Sequence, residues 1–160
     1  MSKSLVAYFS ATGTTRRLAK TLAEAVGGDL YEIKPLRPYT NQDLNWNSST
    51  SRTTRESKDI SARPALAEEC PDLSDFETIY IGFPIWWYHA PKIIHSFLES
   101  SNFTGKKIIL FATSGGSSMG DTLSFLKPSA PGAAFKGGKV WNVRATKIEL
   151  WKWASELLAR

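Results

Sequence analysis

The chemistry that this sequence offers first is phosphate binding, because hydroxyl side chains and a glycine cluster directly after an apolar run. The cluster reads SATGTT and consists of Ser10, Ala11, Thr12, Gly13, Thr14 and Thr15. Apolar residues recur at helical spacing after it, so the cluster is expected at the N-terminus of a helix. Unpaired N–H groups and about half a positive charge are available there. These residues are therefore predicted to bind a phosphate.

The sequence around this cluster narrows the class of phosphate ligand. The GxxxxGK[ST] pattern of nucleoside-triphosphate loops is absent, and no lysine follows Gly13 immediately. The GxGxxG fingerprint of dinucleotide sites is absent as well. The cluster thus favours a ligand with one terminal phosphate. The alternative is a plain helix cap, which needs one hydroxyl rather than four.

A second stretch, PIWWYHAP, follows the third predicted strand and offers a surface for a flat ring system. It contains Pro84, Ile85, Trp86, Trp87 and Tyr88. Three consecutive large aromatic side chains in a loop cannot all enter the core, and exposed apolar surface of this size marks a binding site. Stacking on a planar ligand contributes about 1 kcal/mol per ring pair beyond burial. The alternative for at least one of the three is packing over the sheet edge.

The third stretch, TSGGSS, repeats the combination of glycine and hydroxyl residues. It contains Thr113, Ser114, Gly115, Gly116 and Ser117. Backbone N–H groups there could bind carbonyl oxygens or ring nitrogens of the same ligand, although SGGS is also an ordinary flexible turn.

No catalytic side chain and no metal ligand is predicted. His95 falls within a predicted helix and is expected to be structural, and a packed or solvated role is favoured for His89.

Strands and helices alternate along the chain, and this alternation would bring the three stretches together. Apolar and β-branched runs predict strands at 5–9, 30–33, 78–82, 108–112 and 139–143. Helical periodicity predicts helices over 18–26, 93–98 and 119–126, and from Thr146 onward, where TKIE has the capping-box form. The pattern indicates one α/β domain over residues 1–160, a three-layer, open, doubly wound parallel sheet. Ligands of such sheets bind at the carboxyl ends of the strands.

Residues 34–77 interrupt the alternation. This segment is far longer than a usual connection and is rich in Ser, Thr, Asn and Arg. Loops of this length in compact domains are usually functional or disordered. Trp46 argues against disorder, because a large aromatic side chain generally has something to pack on. Two roles stay open, a lid near the active site and a structural wrap over the sheet edge.

Composition and charge argue against several classes of protein. The 160 residues are 42% hydrophobic and 22% charged, an ordinary globular balance. The net charge of +5 comes from scattered Lys and Arg, so nucleic-acid binding is not expected. No apolar run approaches the roughly 18–20 residues of a membrane span. The single cysteine, Cys70, excludes an internal disulfide. The first apolar run is too short for a signal peptide. We therefore expect a cytoplasmic protein.

The three stretches together resemble a known family. YFSATGTT, GFPIWWYHAP and FATSGGS, with DLNWN, SR and RP between the first two, are similar to the FMN-binding flavodoxins of a bacterial branch. The resemblance implies five parallel strands in the order 2-1-3-4-5, with FMN at the switch point. It also implies that residues 10–15 hold the phosphate, residues 84–88 contact the isoalloxazine ring and residues 113–117 contact its pyrimidine side. FMN would carry the redox chemistry, so no catalytic side chain is required.

Two departures from the flavodoxin pattern bear on the kind of electron transfer. Electron-carrying flavodoxins are typically acidic, whereas this chain is basic. They also usually have a glycine beside the flavin that permits a peptide flip on one-electron reduction, and no glycine occurs between Phe83 and Pro91. A non-glycine residue at positive φ costs about 1–2 kcal/mol. The sequence therefore favours the hypothesis of two-electron chemistry, such as quinone reduction.

Three functions stay open at this point. The first is an FMN-binding redox protein that passes electrons to a redox partner protein or to a small acceptor such as a quinone. The second is an NAD(P)H-dependent FMN quinone reductase that takes the nicotinamide directly over the flavin ring. The third is a non-redox module that binds a phosphate ligand and uses the aromatic residues as a protein-interaction patch.

Overall fold

The computed structural model describes residues 3–114, 116 and 118–160. Five parallel strands form one sheet in the order β2-β1-β3-β4-β5, which confirms the predicted arrangement. The strands are β1 Lys3–Tyr8, β2 Asp29–Glu32, β3 Phe76–Pro84, β4 Lys107–Thr113 and β5 Ala134–Val140. The helices are α1 Thr14–Val26, α2 Arg52–Lys58, α3 Lys92–Glu99, α4 Thr122–Leu126 and α5 Lys147–Leu158, and a 3-10 turn at Lys127–Ser129 follows α4. Within the described ranges, none of these helices has the length and apolar character to cross a membrane.

Both faces of the sheet are buried, as the continuous apolar runs predict. Successive side chains of a strand point to opposite faces, so Leu5 and Ala7 join one core cluster and Val6 and Tyr8 join the other. The first cluster includes the apolar face of α3, and the second includes those of α1 and α5. The sheet is therefore the middle of three layers. A ligand can reach it at the ends of its strands.

The helix boundaries follow from local sequence signals. α1 ends at Gly27, which adopts a left-handed conformation with φ of 66° and donates its N–H to Ala23 O. α5 begins after Thr146, whose side chain accepts from the Glu149 N–H while the Glu149 carboxylate accepts from the Thr146 N–H. The predicted capping box is thus confirmed.

The fifth strand lies earlier in the chain than predicted. It spans Ala134–Val140 rather than 139–143, because Gly137 and Gly138, which interrupt the residue pattern of a strand, lie inside it. A Cβ on Gly137 would come within 2.9 Å of Leu157 Cδ2, and one on Gly138 within 3.0 Å of Leu110 Cβ. These close approaches require glycine there. The pairing with β4 also shifts by one residue and leaves Lys136 as an extra residue in β5.

The long segment from 34 to 77 contains a helix that its polar composition did not predict. α2 begins after Ser51, whose Oγ accepts from the Thr54 N–H and so caps the helix. Upstream and downstream of α2 the segment pairs with itself at the border of the sheet, since the Leu36 N–H donates to Ala65 O at 2.8 Å. The expectation that Trp46 packs on the protein is wrong, because 71% of this residue is exposed.

Candidate functional site

The carboxyl ends of β1, β3 and β4 meet at one edge of the sheet and border two adjoining cavities. The larger, here called the aromatic cavity, has a volume of about 640 Å³ and is lined by Leu44, Trp46, Thr53, Ile85, Trp86, Trp87, Tyr88, Ser114 and Gly116. The smaller, here called the hydroxyl cavity, has a volume of about 400 Å³ and is lined by Thr12, Thr14, Pro84, Ile85, Thr113, Ser114, Trp141, Asn142 and Val143. Ile85 and Ser114 line both cavities, so one elongated ligand can occupy the two together.

The loop between β1 and α1 has the backbone geometry of an anion site. Gly13 adopts a left-handed conformation with φ of 95°, and its N–H donates to Ser10 Oγ at 3.0 Å. α1 begins at the next residue, so the N–H groups of its first turn point out of the helix end. A phosphate at this position would receive these N–H groups and the positive end of the helix dipole.

The hydroxyls of this loop do not all face the same way. Thr12 and Thr14 line the hydroxyl cavity. Ser10 and Ala11 line a separate cavity of about 450 Å³ on the β2 side of the loop. Thr15 is only 1% exposed, and its Oγ1 lies 2.7 Å from Thr113 Oγ1. This buried bond ties the loop to the end of β4, which supports the site from beneath.

The three aromatic residues after β3 divide into one anchor and two exposed rings. Trp86 packs edge-on against Phe9 at 5.6 Å and against Tyr39 at 5.4 Å between ring centroids. Trp87 is 37% exposed and Tyr88 is 67% exposed. Trp86 therefore has the packing role expected for at least one of them, and the other two present their rings to a ligand.

Trp87 and Tyr88 form the centre of a strained two-residue turn. Trp86 and His89 exchange both backbone N–H···O bonds, at 2.9 and 3.1 Å. The two central residues have φ of 50° and 67°, a conformation in which turns of this kind normally place Asn or Gly. From the sequence, a residue at positive φ in this glycine-free loop is expected to cost about 1–2 kcal/mol. The structure shows that two neighbouring residues already carry that cost.

Charged residues hold the ring of Tyr39, against which Trp86 packs. The Tyr39 hydroxyl donates to Glu56 Oε1 at 2.5 Å, and Arg52 lies 3.8 Å above the Tyr39 ring. Arg52 Nε also donates to Glu56 Oε2 at 3.0 Å. Burial, followed by the hydrogen bond to Glu56, raises the pKa of the Tyr39 hydroxyl far above its usual range. Tyr39 is therefore protonated at neutral pH and remains a donor.

The loop after β4 is described only in part. Ser114 lines both cavities and Thr113 lines the hydroxyl cavity, and the Gly116 N–H donates to Ser114 Oγ at 3.2 Å. Gly115 and Ser117, which the sequence also assigned to the cofactor site, lie outside the described residues.

Six further residues line the cavities without having been predicted. Leu44, Trp46 and Thr53 come from the long segment, and Trp141, Asn142 and Val143 follow β5. Trp46 could have been predicted as a site residue, because it is an aromatic residue in a polar segment. Trp141 could not, because the predicted fifth strand at 139–143 placed it inside a strand. Two buried atoms here, Thr53 Oγ1 and Trp141 Nε1, have no hydrogen-bond partner among residues 3–114, 116 and 118–160.

Neither His89 nor His95 lines the aromatic or the hydroxyl cavity, and both pack against other residues. His89 stacks on Phe125 at 4.4 Å between ring centroids. His95 is buried, and its Nδ1 lies 2.7 Å from Ser129 Oγ. Burial, reinforced by the charges of Arg63 and Lys92, lowers the pKa of His95 to about 4.

Comparison with known proteins agrees with this architecture. The sequence model of the family described as Flavodoxin matches residues 3–157. A crystal structure described as a flavoprotein from Bacteroides eggerthii is 43% identical over all of both chains, with a TM-score of 0.94. One from Bacteroides uniformis is 47% identical over 96% of this chain and 98% of the other, with a TM-score of 0.91.

A more distant structure shows the same fold with a ligand. The flavoprotein of Lactobacillus acidophilus in complex with FMN is 19% identical over 96% of this chain and 99% of its own, with a TM-score of 0.71. No curated protein matches this chain. The family match over nearly the full length, together with the sheet order and the loops at the strand ends, shows that the chain belongs to the flavodoxin family.

Proposed function

We propose that this chain is an FMN-binding redox protein that transfers electrons through the bound flavin. The observation that carries the proposal is the junction of an aromatic cavity with a hydroxyl cavity at the ends of β1, β3 and β4. FMN has a planar ring at one end and a phosphate at the other, so its two ends match the two cavities. When bound, FMN supplies the redox chemistry, and the protein supplies binding, orientation and electrostatics.

The hydroxyl cavity would hold the phosphate end. Thr12 and Thr14 contribute hydroxyl donors, and the first turn of α1 contributes backbone N–H groups. Gly13 lets the loop turn into the helix without a side chain, and a Cβ there would have nothing within 4 Å. The position is therefore open on the side from which a ligand approaches.

The aromatic cavity would hold the ring. Trp87 and Tyr88 offer exposed rings for stacking, and Trp86 is fixed beneath them by Phe9 and Tyr39. Thr53 Oγ1 is buried beside this cavity without a partner among the described residues. An isoalloxazine ring carries polar atoms along one edge, so it fits a cavity whose lining combines aromatic and aliphatic side chains with polar groups such as the Thr53 hydroxyl.

The test is to mix the purified protein with FMN, remove free ligand and record the visible absorption spectrum. We expect the flavin bands to stay with the protein. Thr14→Val should weaken FMN binding about tenfold, since it removes one hydrogen bond to a charged group. Thr21→Val is the matched control in the same helix, because Thr21 Oγ1 bonds to Arg17 O and lies outside the cavity lining. A protein that retains no flavin would contradict the proposal and favour a non-redox ligand.

One observation favours a small planar acceptor, such as a quinone, over a protein partner. Trp46, Trp87 and Tyr88 surround the aromatic cavity and are all exposed, so a second flat ring has stacking partners there. Steady consumption of NAD(P)H with a quinone and no other protein is the outcome expected for such a reductase. Reduction that requires a separate reductase would instead identify an electron carrier.

The turn at Trp87 and Tyr88 supports two-electron transfer. Its backbone is closed by both bonds between Trp86 and His89. A flip of the Trp86–Trp87 or the Tyr88–His89 peptide would break one of these bonds, and a flip of the central peptide would require new dihedral angles at Trp87 and Tyr88. We therefore expect photoreduction of the FMN-loaded protein to bleach the flavin bands in one step. A distinct spectrum that appears and then decays during photoreduction would contradict this expectation.

A further inference from the structure

Trp141 occupies a fixed position at the carboxyl edge of the sheet. Its backbone N–H donates to Ala112 O at 2.8 Å, which extends the ladder between β4 and β5 by one residue. Its ring packs edge-on against Trp153 at 5.5 Å between centroids. The Asn142 side chain accepts from the Arg144 N–H at 2.8 Å and shapes the chain that leaves the site. The backbone of Trp141 is therefore fixed by β4, and its ring packs against Trp153 before any ligand binds.

The indole N–H of Trp141 is buried and lacks an acceptor within the described part of the chain. An unsatisfied buried donor costs about 1–3 kcal/mol, and native proteins retain few of them. An indole nitrogen can only donate. The group that satisfies it must therefore be a hydrogen-bond acceptor that reaches this position from outside the described chain.

The surroundings of Trp141 identify this acceptor as an anion. The residue lines the hydroxyl cavity together with Thr12, which lies in the loop before α1, and Thr14, the first residue of α1. Lys139 Nζ lies 4.2 Å from the centre of the Trp141 ring and adds a positive charge on that side of the cavity. The carboxylate of Glu149 interacts with Lys139 as well, but it is occupied as the capping group of α5. Donors from two separate loops and a nearby cation form a site for a phosphate.

We propose that Trp141 Nε1–H donates a hydrogen bond to the phosphate of FMN and forms the side of the phosphate site opposite the loop at residues 12–14. This inference rests on the proposed function. It extends that function by adding a donor from the end of β5 to the three loops that the sequence indicated. Trp141 is a binding residue in this scheme and takes no part in electron transfer.

The experiment compares FMN with riboflavin, which has the same ring and ribityl chain but no phosphate. Dissociation constants are measured by quenching of flavin fluorescence for the wild type, for Trp141→Phe and for the control Trp151→Phe. We expect Trp141→Phe to weaken FMN binding about tenfold and to leave riboflavin binding unchanged. Trp151→Phe removes an exposed indole of α5 that is not in the cavity lining, and it should leave both constants unchanged.

A second measurement does not depend on a variant that folds. The indole N–H resonance of Trp141 in isotope-labelled wild-type protein, assigned sequentially, should move downfield when FMN binds and should move much less with riboflavin. Equal losses for FMN and riboflavin in Trp141→Phe, or equal shifts of the resonance with both ligands, would overturn the inference while FMN binding stands. A wild type that binds neither ligand would overturn the proposed function as well.

Discussion

Thr53 and Thr54 are neighbours in α2, and both are buried, but their hydroxyls differ in hydrogen bonding. Thr54 Oγ1 accepts from Ser51 Oγ at 2.9 Å. Thr53 Oγ1 has no partner in the ranges that the structure describes and lies beside the aromatic cavity. Substitution of valine at each position therefore distinguishes a hydroxyl that stabilises the apoprotein from a hydroxyl that is available to a ligand.

We expect Thr53→Val to stabilise the apoprotein by about 1 kcal/mol, because valine has the same shape and removes an unsatisfied buried hydroxyl. The measurement is urea unfolding of the FMN-free protein. Thr54→Val should act in the opposite direction by about 1 kcal/mol, because it breaks the bond from Ser51. If Thr53→Val destabilised the protein as much as Thr54→Val, the hydroxyl of Thr53 would have a partner in the folded chain.

Single residues of the site were predictable by type but not by orientation. The cluster of hydroxyls after β1 indicated an anion site, and Thr12 and Thr14 do line the hydroxyl cavity. The sequence could not show that Thr15 turns inward to Thr113, because this contact joins residues that are 98 positions apart. Long-range contacts of this kind depend on the complete fold rather than on local pattern.

At the scale of elements, α1 is bounded by two glycines in left-handed conformations. Gly13 precedes it with φ of 95°, and Gly27 follows it with φ of 66°. Neither glycine has an atom within 4 Å of the position of a Cβ, so substitution by alanine acts on the backbone alone. The two ends of the helix thus provide a matched pair of backbone changes, one at the site and one remote from it.

Gly13→Ala and Gly27→Ala should each lower the free energy of unfolding of the apoprotein by about 1 kcal/mol, the cost of a left-handed alanine. Of the two, we expect Gly13→Ala alone to weaken FMN binding, about tenfold, because it changes the loop that would receive the phosphate. The measurements are urea unfolding and quenching of flavin fluorescence. An equal loss of FMN affinity in both variants would show that α1 acts on the ligand only through overall stability.

Elements with simple patterns were predictable, and irregular ones were not. The apolar runs of β1 and β4 and the capping box of α5 follow local rules, and the structure confirms them. β5 was misplaced because its glycines serve close packing against Leu157 and Leu110, which no local pattern shows. The turn at Trp87 and Tyr88 lacks the Asn or Gly that usually indicates such a backbone.

For the whole molecule, the buried His95 couples stability to pH. It faces Arg63, Lys92 and His89, which oppose its protonation, and Glu99, which favours it, and burial has the largest effect. Its pKa falls from 6.5 in the unfolded chain to about 4 in the folded protein. Below pH 6.5 the unfolded chain therefore takes up a proton that the folded protein does not, and folding becomes less favourable.

We expect the free energy of unfolding to fall as the pH is lowered from about 6.5 towards 4, by at most about 1.4 kcal/mol per pH unit. His95→Asn keeps a polar atom near the position of Nδ1, opposite Ser129, but does not titrate. Urea unfolding of both proteins between pH 7 and 5, about the range in which His95 titrates in the unfolded chain, isolates this contribution. Parallel stability curves for wild type and variant would contradict it.

The sheet as a whole was predictable because its rule is simple. Strands that are buried on both faces and alternate with helices form a parallel sheet, and the resemblance of three loops to the flavodoxins supplied the strand order. The segment 34–77 was not predictable in the same way, since α2 is short and is stabilised by contacts of Arg52 with Tyr39 and Glu56. These contacts hold α2 in place, and α2 contributes Thr53 to the lining of the aromatic cavity.

The extra residue in β5 also bears on how readily this border of the sheet could pair with another chain. β5 forms one border of the sheet, so a row of its backbone groups faces away from β4. An uninterrupted border strand is a template on which the backbone of another chain can pair. The irregular pairing at Lys136, the two glycines that follow it and the charge of Lys139 all weaken such a template. The irregularity of β5 therefore makes this border of the sheet a poorer template for pairing with another chain.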